Sequence, residues 1–173
     1  MSYSVYACLT DAKKVPSIYG AKNQNLIGEL SAAIKSELDN LDDYFADTLS
    51  PQQNTFEVLK DIVDGRISFP EIPFMYGYVY EKICEYFGVQ IFNAEYLWEL
   101  EEQSAFIPIP FSPDFPHIIS IEKAQLKEKK EKFLALQVGS GIGDCDYEEE
   151  INDLTYIFDE AIEQSKDLLI CTY

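Results

Sequence analysis

The chain closes on Asp167-Leu168-Leu169-Ile170-Cys171-Thr172-Tyr173, a near-continuous apolar run of the length of one strand. A run with no polar alternation suits a strand buried in the middle of a sheet, so a central strand is predicted there. The other end of the chain answers it. Tyr3, Val5, Ala7 and Leu9 alternate with Ser4, Tyr6 and Cys8, the period of a strand half-buried in a sheet. Two β-type runs at the ends of a compact chain predict one sheet that contains both, with Cys8 and Cys171 near each other and reduced.

Between these ends the pattern is mostly helical. From Gln24 to Phe45, Leu26, Ile27, Leu30, Ala33, Ile34, Leu38, Leu41 and Phe45 recur at spacings of three and four, which predicts one amphipathic helix. Ser50-Pro51-Gln52-Gln53 reads as an N-cap, a proline in the first helical position and a capping-box glutamine. It predicts a helix to Asp64 that stops at Gly65 and buries Phe56, Leu59, Ile62 and Val63. Pro70 and Pro73 predict an extended connection. A further helix follows over Met75 to Phe87, with Gly77 weakening it and Gly88 ending it.

Gln90 to Phe92 and Ile118 to Ile121 read as short strands. Four prolines between Phe106 and Pro116 exclude a central strand and predict an extended segment whose Phe and Ile side chains cover the core. Lys123 to Leu136 and Asp146 to Ser165 are predicted helices, joined through Gly139-Ser140-Gly141-Ile142-Gly143. The expected fold class is α+β: a single domain over residues 1–173, with an antiparallel or mixed sheet holding both terminal strands and packed by four to five helices.

Composition narrows the partners. The 173 residues carry 13 Lys plus Arg against 31 Asp plus Glu, a net charge of −18. Such a surface repels nucleic-acid phosphates and anionic lipid, so neither is an expected partner. With 47% hydrophobic and 14% aromatic residues the chain nevertheless has the means to fold. No apolar run reaches the roughly 18 residues needed to span a bilayer, and no secretory leader pattern opens the sequence, so a cytoplasmic protein is expected. Cys8, Cys84, Cys145 and Cys171 lie far apart with no C-x-x-C pair, the pattern of free thiols.

The run Pro16-Ser17-Ile18-Tyr19-Gly20-Ala21-Lys22-Asn23, then Leu59-Lys60-Asp61-Ile62-Val63-Asp64-Gly65, Tyr76-Gly77-Tyr78, Glu81 to Gly88, Pro108 to Pro116 and Lys166-Asp167-Leu168-Leu169 resembles an uncharacterised family of small acidic bacterial α+β proteins. The resemblance spans most of the chain. It implies a single-domain fold of bacterial type and carries over no activity, ligand or catalytic residue.

Few constellations point to chemistry. His117 is the only histidine, which removes two-histidine metal sites and reads as a surface or loop residue. The glycines of 139–143 lack a following Gly-Lys-Ser/Thr and precede a string of acids, so a flexible connection is expected there and no phosphate loop. Asp144-x-Asp146-x-Glu148 has the spacing that opens a calcium loop, yet Glu149 and Thr155 stand where such loops want Gly and a bidentate Glu. No metal and no cofactor is expected.

The acidic run from Asp144 to Glu163 contains no Lys or Arg. It serves either as a solvated face or as a surface for a basic partner. The expected partner-binding residues are Glu149, Asp153, Asp159, Glu160 and Glu163, extended by Glu95, Glu99, Glu101 and Glu102. The favoured reading is a non-catalytic acidic binding protein, of the immunity or inhibitor kind, that neutralises a basic protein. The alternatives are a small carboxylate-based hydrolase or metal-assisted enzyme, and a nucleic-acid mimic whose carboxylates imitate phosphates.

Overall fold

The computed structural model describes residues 3–96, 103–113, 115–139 and 146–173. Four strands form one sheet: β1 (Tyr3–Thr10), β2 (Val89–Tyr96), β3 (His117–Ile121) and β4 (Asp167–Thr172). Their spatial order is β2-β1-β4-β3, and all three pairings are antiparallel. The two terminal strands therefore occupy the centre, with Tyr6 opposite Cys171 and Cys8 opposite Leu169. Every residue of β4 is buried, as its apolar run requires.

Helices cover both faces of the sheet. On one face Tyr6, Cys8, Ile118, Leu169 and Cys171 meet α1 (Lys14–Ile18), α2 (Gln24–Ala33), α3 (Lys35–Tyr44), α4 (Thr55–Asp64) and α5 (Pro73–Tyr86). On the other, Val5, Ala7, Leu9, Ile121, Leu168 and Ile170 pack on Leu126 of α6 (Leu126–Gly139) and on Leu154, Ile157, Phe158 and Ala161 of α7 (Asp146–Glu163). Seven helices among the described residues exceed the four to five expected. Part of the excess is local: the single helix predicted over Gln24 to Phe45 is two, because the backbone leaves the helical region at Ile34 (φ −110°, ψ 25°).

Asp42 supplies a reason for the break at Ile34. After the turn, α3 lies across the start of α4, where Asp42 accepts hydrogen bonds from Thr55 N (2.8 Å) and Thr55 Oγ1 (2.9 Å). Asn54, not Ser50, is the N-cap of α4 and accepts from Glu57 N at 3.0 Å. Gln53 does reach back to Ser50 N, at 3.0 Å, but within a turn that precedes the helix. A carboxylate oxygen of Asp42 and the side-chain carbonyl of Asn54 thus satisfy orphan amides, which moves the helix start downstream of the capping-box pattern. Phe56 consequently sits at the rim of α4, 44% exposed, while Val58, Leu59, Ile62 and Val63 are buried. Pro73 is likewise the first residue of α5 and no part of an extended connection.

Gly65 ends α4 in the left-handed conformation (φ 71°), as the sequence pattern predicts. Gly77 weakens the helical pattern of α5 for a packing reason. A Cβ there would lie 2.9 Å from Pro116 Cγ and 3.2 Å from Ile118 Cδ1, so glycine lets the proline-rich segment approach the helix. That segment covers the core through buried Ile107 and Ile109 and partly buried Phe106, whereas Phe111, expected to do the same, is 43% exposed. Tyr80 fastens it: its hydroxyl accepts from Phe106 N (2.9 Å) and shares a hydrogen bond with Ser120 Oγ (2.8 Å).

Two buried carboxylates organise loops. Asp167, at the start of β4, accepts from Ala12 N and Lys123 N, each at 2.8 Å, and so ties the turn after β1 to the turn after β3. Asp61 on α4 accepts from Tyr76 Oη (2.7 Å), Ser68 N (2.7 Å), Ser68 Oγ (2.8 Å) and Arg66 Nε (2.7 Å). Burial alone would raise its pKa, but these donors hold the carboxyl below its ordinary 3.8. The stabilisation is therefore present at neutral pH and lost as pH falls through the lowered pKa. Asp61→Asn is expected to cost about 3 kcal/mol at pH 7 in urea unfolding, with the gap between variant and wild type narrowing below pH 3.8, where the unfolded chain's carboxyl takes up a proton and the native one stays ionised.

Candidate functional site

The acidic face of α7 follows from helical geometry. Asp153, Tyr156, Glu160 and Glu163 recur at i, i+3, i+7 and i+10, so they share one side of the helix, opposite Leu154, Ile157, Phe158 and Ala161. Glu149 falls on the same line of the α7 backbone. Glu163 is exposed, and Asp153 and Glu160 are half-buried. Glu160 Oε2 accepts from Gln164 Nε2 at 2.8 Å. Asp159 stands apart from this stripe: it turns toward α6 and pairs with Lys130 Nζ at 2.6 Å.

Tyr156 is 49% exposed within the stripe. Sequence reading passed over it among the acids, although its spacing from Asp153 and Glu160 is the signal that places it there. Of the other expected residues, Glu95 lies on β2, while Glu99, Glu101 and Glu102 fall outside the described residues, as do Ser140 to Gly143 of the glycine-rich connection and Asp144 of the calcium-like spacing. A second surface lies elsewhere. A groove of about 420 Å³ runs between α3 and the start of α4, lined by Lys35, Leu38, Asp39, Asp42 and Phe56.

Several of the chain's cations pair with its own carboxylates. Lys35 pairs with Asp39, Lys60 with Glu57, Arg66 with Asp61 and Asp64, Lys82 with Glu81 and Glu85, Lys130 with Asp159, and Lys132 with Glu128. Each such pair leaves the surrounding carboxylate excess intact, so the charge of −18 is expressed as a surface field.

Among the described residues no group of three or more His, Cys, Asp and Glu is arranged to hold a metal ion. His117 lies at the start of β3, its Nε2 3.4 Å from Pro113 O. Cys8, Cys84 and Cys171 are free and buried. Burial pushes the Cys8 thiol up to about 12 and the other two well above the ordinary range, so all three stay protonated and unreactive.

Helices on both faces of an antiparallel sheet, with an acidic helical stripe turned outward, define an α+β protein. Among the described residues, no helix is long and apolar enough to cross a membrane. The chain belongs to the family described as Domain of unknown function (DUF7691), whose model matches residues 1–173. Comparison with curated proteins gives no match, and comparison with solved structures gives none.

Thiol chemistry offers a direct check on the burial of the sheet. An aromatic disulfide reagent is expected to leave Cys8, Cys84 and Cys171 unlabelled in the native protein and to label all three in denaturant, as read by peptide mass spectrometry. Rapid native labelling of Cys8 would mean that β1 is open to solvent.

Proposed function

We propose that this protein is a non-catalytic binding protein that captures a basic protein partner through the outer stripe of α7, in the manner of an immunity or inhibitor protein. The observation that carries the reading is the excess of 31 Asp plus Glu over 13 Lys plus Arg, a net charge of −18, together with the carboxylate stripe that α7 turns away from the sheet. Exposed carboxylates act over a screening length of about 8 Å at physiological salt, so a row of them matters more than any member. Glu149, Asp153, Glu160 and Glu163 would steer the encounter, with Asp159 on the flank and Glu95, Glu99, Glu101 and Glu102 widening the field.

Tyr156 supplies what charge alone lacks. A tyrosine held on a rigid helix offers a broad contact area at little entropic cost, the usual form of an interface anchor. The setting we assign is the cytoplasm, in keeping with free thiols at Cys8, Cys84 and Cys171.

The test compares two variants of equal charge. One carries Glu149, Asp153, Glu160 and Glu163 changed to Lys; the other carries Glu29, Glu37, Asp43 and Asp47, exposed on α2, α3 and the turn after α3, changed to Lys. Proteins retained from host extract are identified, and the association rate of the purified partner is measured at two salt concentrations. The expected result is one basic protein held by wild type and by the α3-side variant, with association slowed about tenfold or more by the α7 changes. Tyr156→Ala should raise the dissociation rate about 30-fold, the equivalent of about 2 kcal/mol. Equal retention by all forms would make the charge generic and remove the reading's support.

A further inference from the structure

Glu81 is a carboxylate in a place that charge avoids. It lies on the inner side of α5, 2% exposed, facing the central strand pair. Its Oε1 accepts from Lys82 Nζ at 2.7 Å, whereas Oε2 is buried with no hydrogen-bond partner, and the thiol of Cys171 is the weak donor nearby. An ionised oxygen buried without a donor is expensive, while a protonated one leaves only a neutral hydroxyl beside a polarisable sulfur.

The surroundings hold little to compensate a charge there. From α5 itself come Tyr78, Lys82, Cys84 and Glu85; from β1, Tyr6 and Cys8; from β4, Cys171. Lys82 is shared, since its Nζ also lies 3.2 Å from Glu85 Oε2 and 5.9 Å from the centre of the Tyr6 ring. Of the remaining elements packed on α5, α4 turns Asp61 to Tyr76, α3 brings Asp42 to Thr55 and Tyr44 toward Tyr78, and the described side chains of β2, Val89 to Phe92, carry no ionisable group. Two carboxylates thus compete for one ammonium, with Glu81 buried and Lys82 and Glu85 each partly open to solvent.

We propose that Glu81, Lys82, Glu85 and Tyr6 form a proton-holding latch that fastens α5 to the β1/β4 pair more tightly in mild acid than above neutrality. Burial pushes the Glu81 carboxyl up to about 7, with Lys82 pulling it down and Glu85 pushing it up. Because the folded-state pKa exceeds the ordinary 4.5, the contribution is fully present below that value and is lost as pH rises through about 7. This latch is independent of any partner at α7.

Urea unfolding of wild type and Glu81→Gln from pH 5 to pH 8 tests it. The glutamine keeps the shape and cannot ionise, so the folding constant of wild type relative to the variant should fall on the order of 100-fold across that range. A ratio that stays constant, or rises with pH, overturns the latch. Infrared spectra of the wild-type protein give a second reading that does not need the variant to fold. A protonated-carboxyl stretch should persist at pH 6 and fade by pH 8, and its absence at pH 6 overturns the proposal as well.

Discussion

The antiparallel pairing of β1 with β4 places the two ends of the chain side by side in the middle of the sheet, and the other elements depend on it. β2 is added outside β1, β3 is added outside β4, and each helical layer lies on side chains that these two strands alternate between the faces. Tyr6, Cys8, Leu169 and Cys171 make the floor for α5, while Val5, Ala7, Leu168 and Ile170 make the floor for α7. Closing a contact across nearly the whole chain is entropically costly, so this pairing forms only with the burial that both layers supply.

From that floor two charged features diverge. α7 uses its inner side to cover the sheet and is left with an outer stripe of carboxylates around Tyr156. α5 is packed between the sheet, α3, α4 and the proline-rich segment, so Glu81 on its inner side is buried while Lys82 and Glu85 keep partial access to water. One helix therefore expresses its charge as a field and the other stores it as a proton.

Much of this was legible in residues whose role is local or periodic. The apolar run of β4, the alternation of β1 and the Gly65 stop name their conformations directly. The acidic stripe of α7 followed from its period, though its tyrosine did not stand out. What stayed hidden depends on neighbours distant in sequence. The break at Ile34 serves Asp42 at Thr55, thirteen residues away, and the exposure of Phe56 depends on how α3 crosses α4. The burial of Glu81 is of the same kind, since it depends on β1 and β4 packing against α5. The clue was its setting, since a helix as apolar as Tyr76 to Phe87 has a buried face wide enough for one of its charges to fall on it.

Native-state amide hydrogen exchange tests the central role of the strand pair most directly. If β1 and β4 carry the fold, their paired amides exchange only through global unfolding and share the highest protection in the molecule, above those of α2, α3 and α6. Protection in β4 that is lower than in those helices, or that is lost separately from β1, would contradict the account.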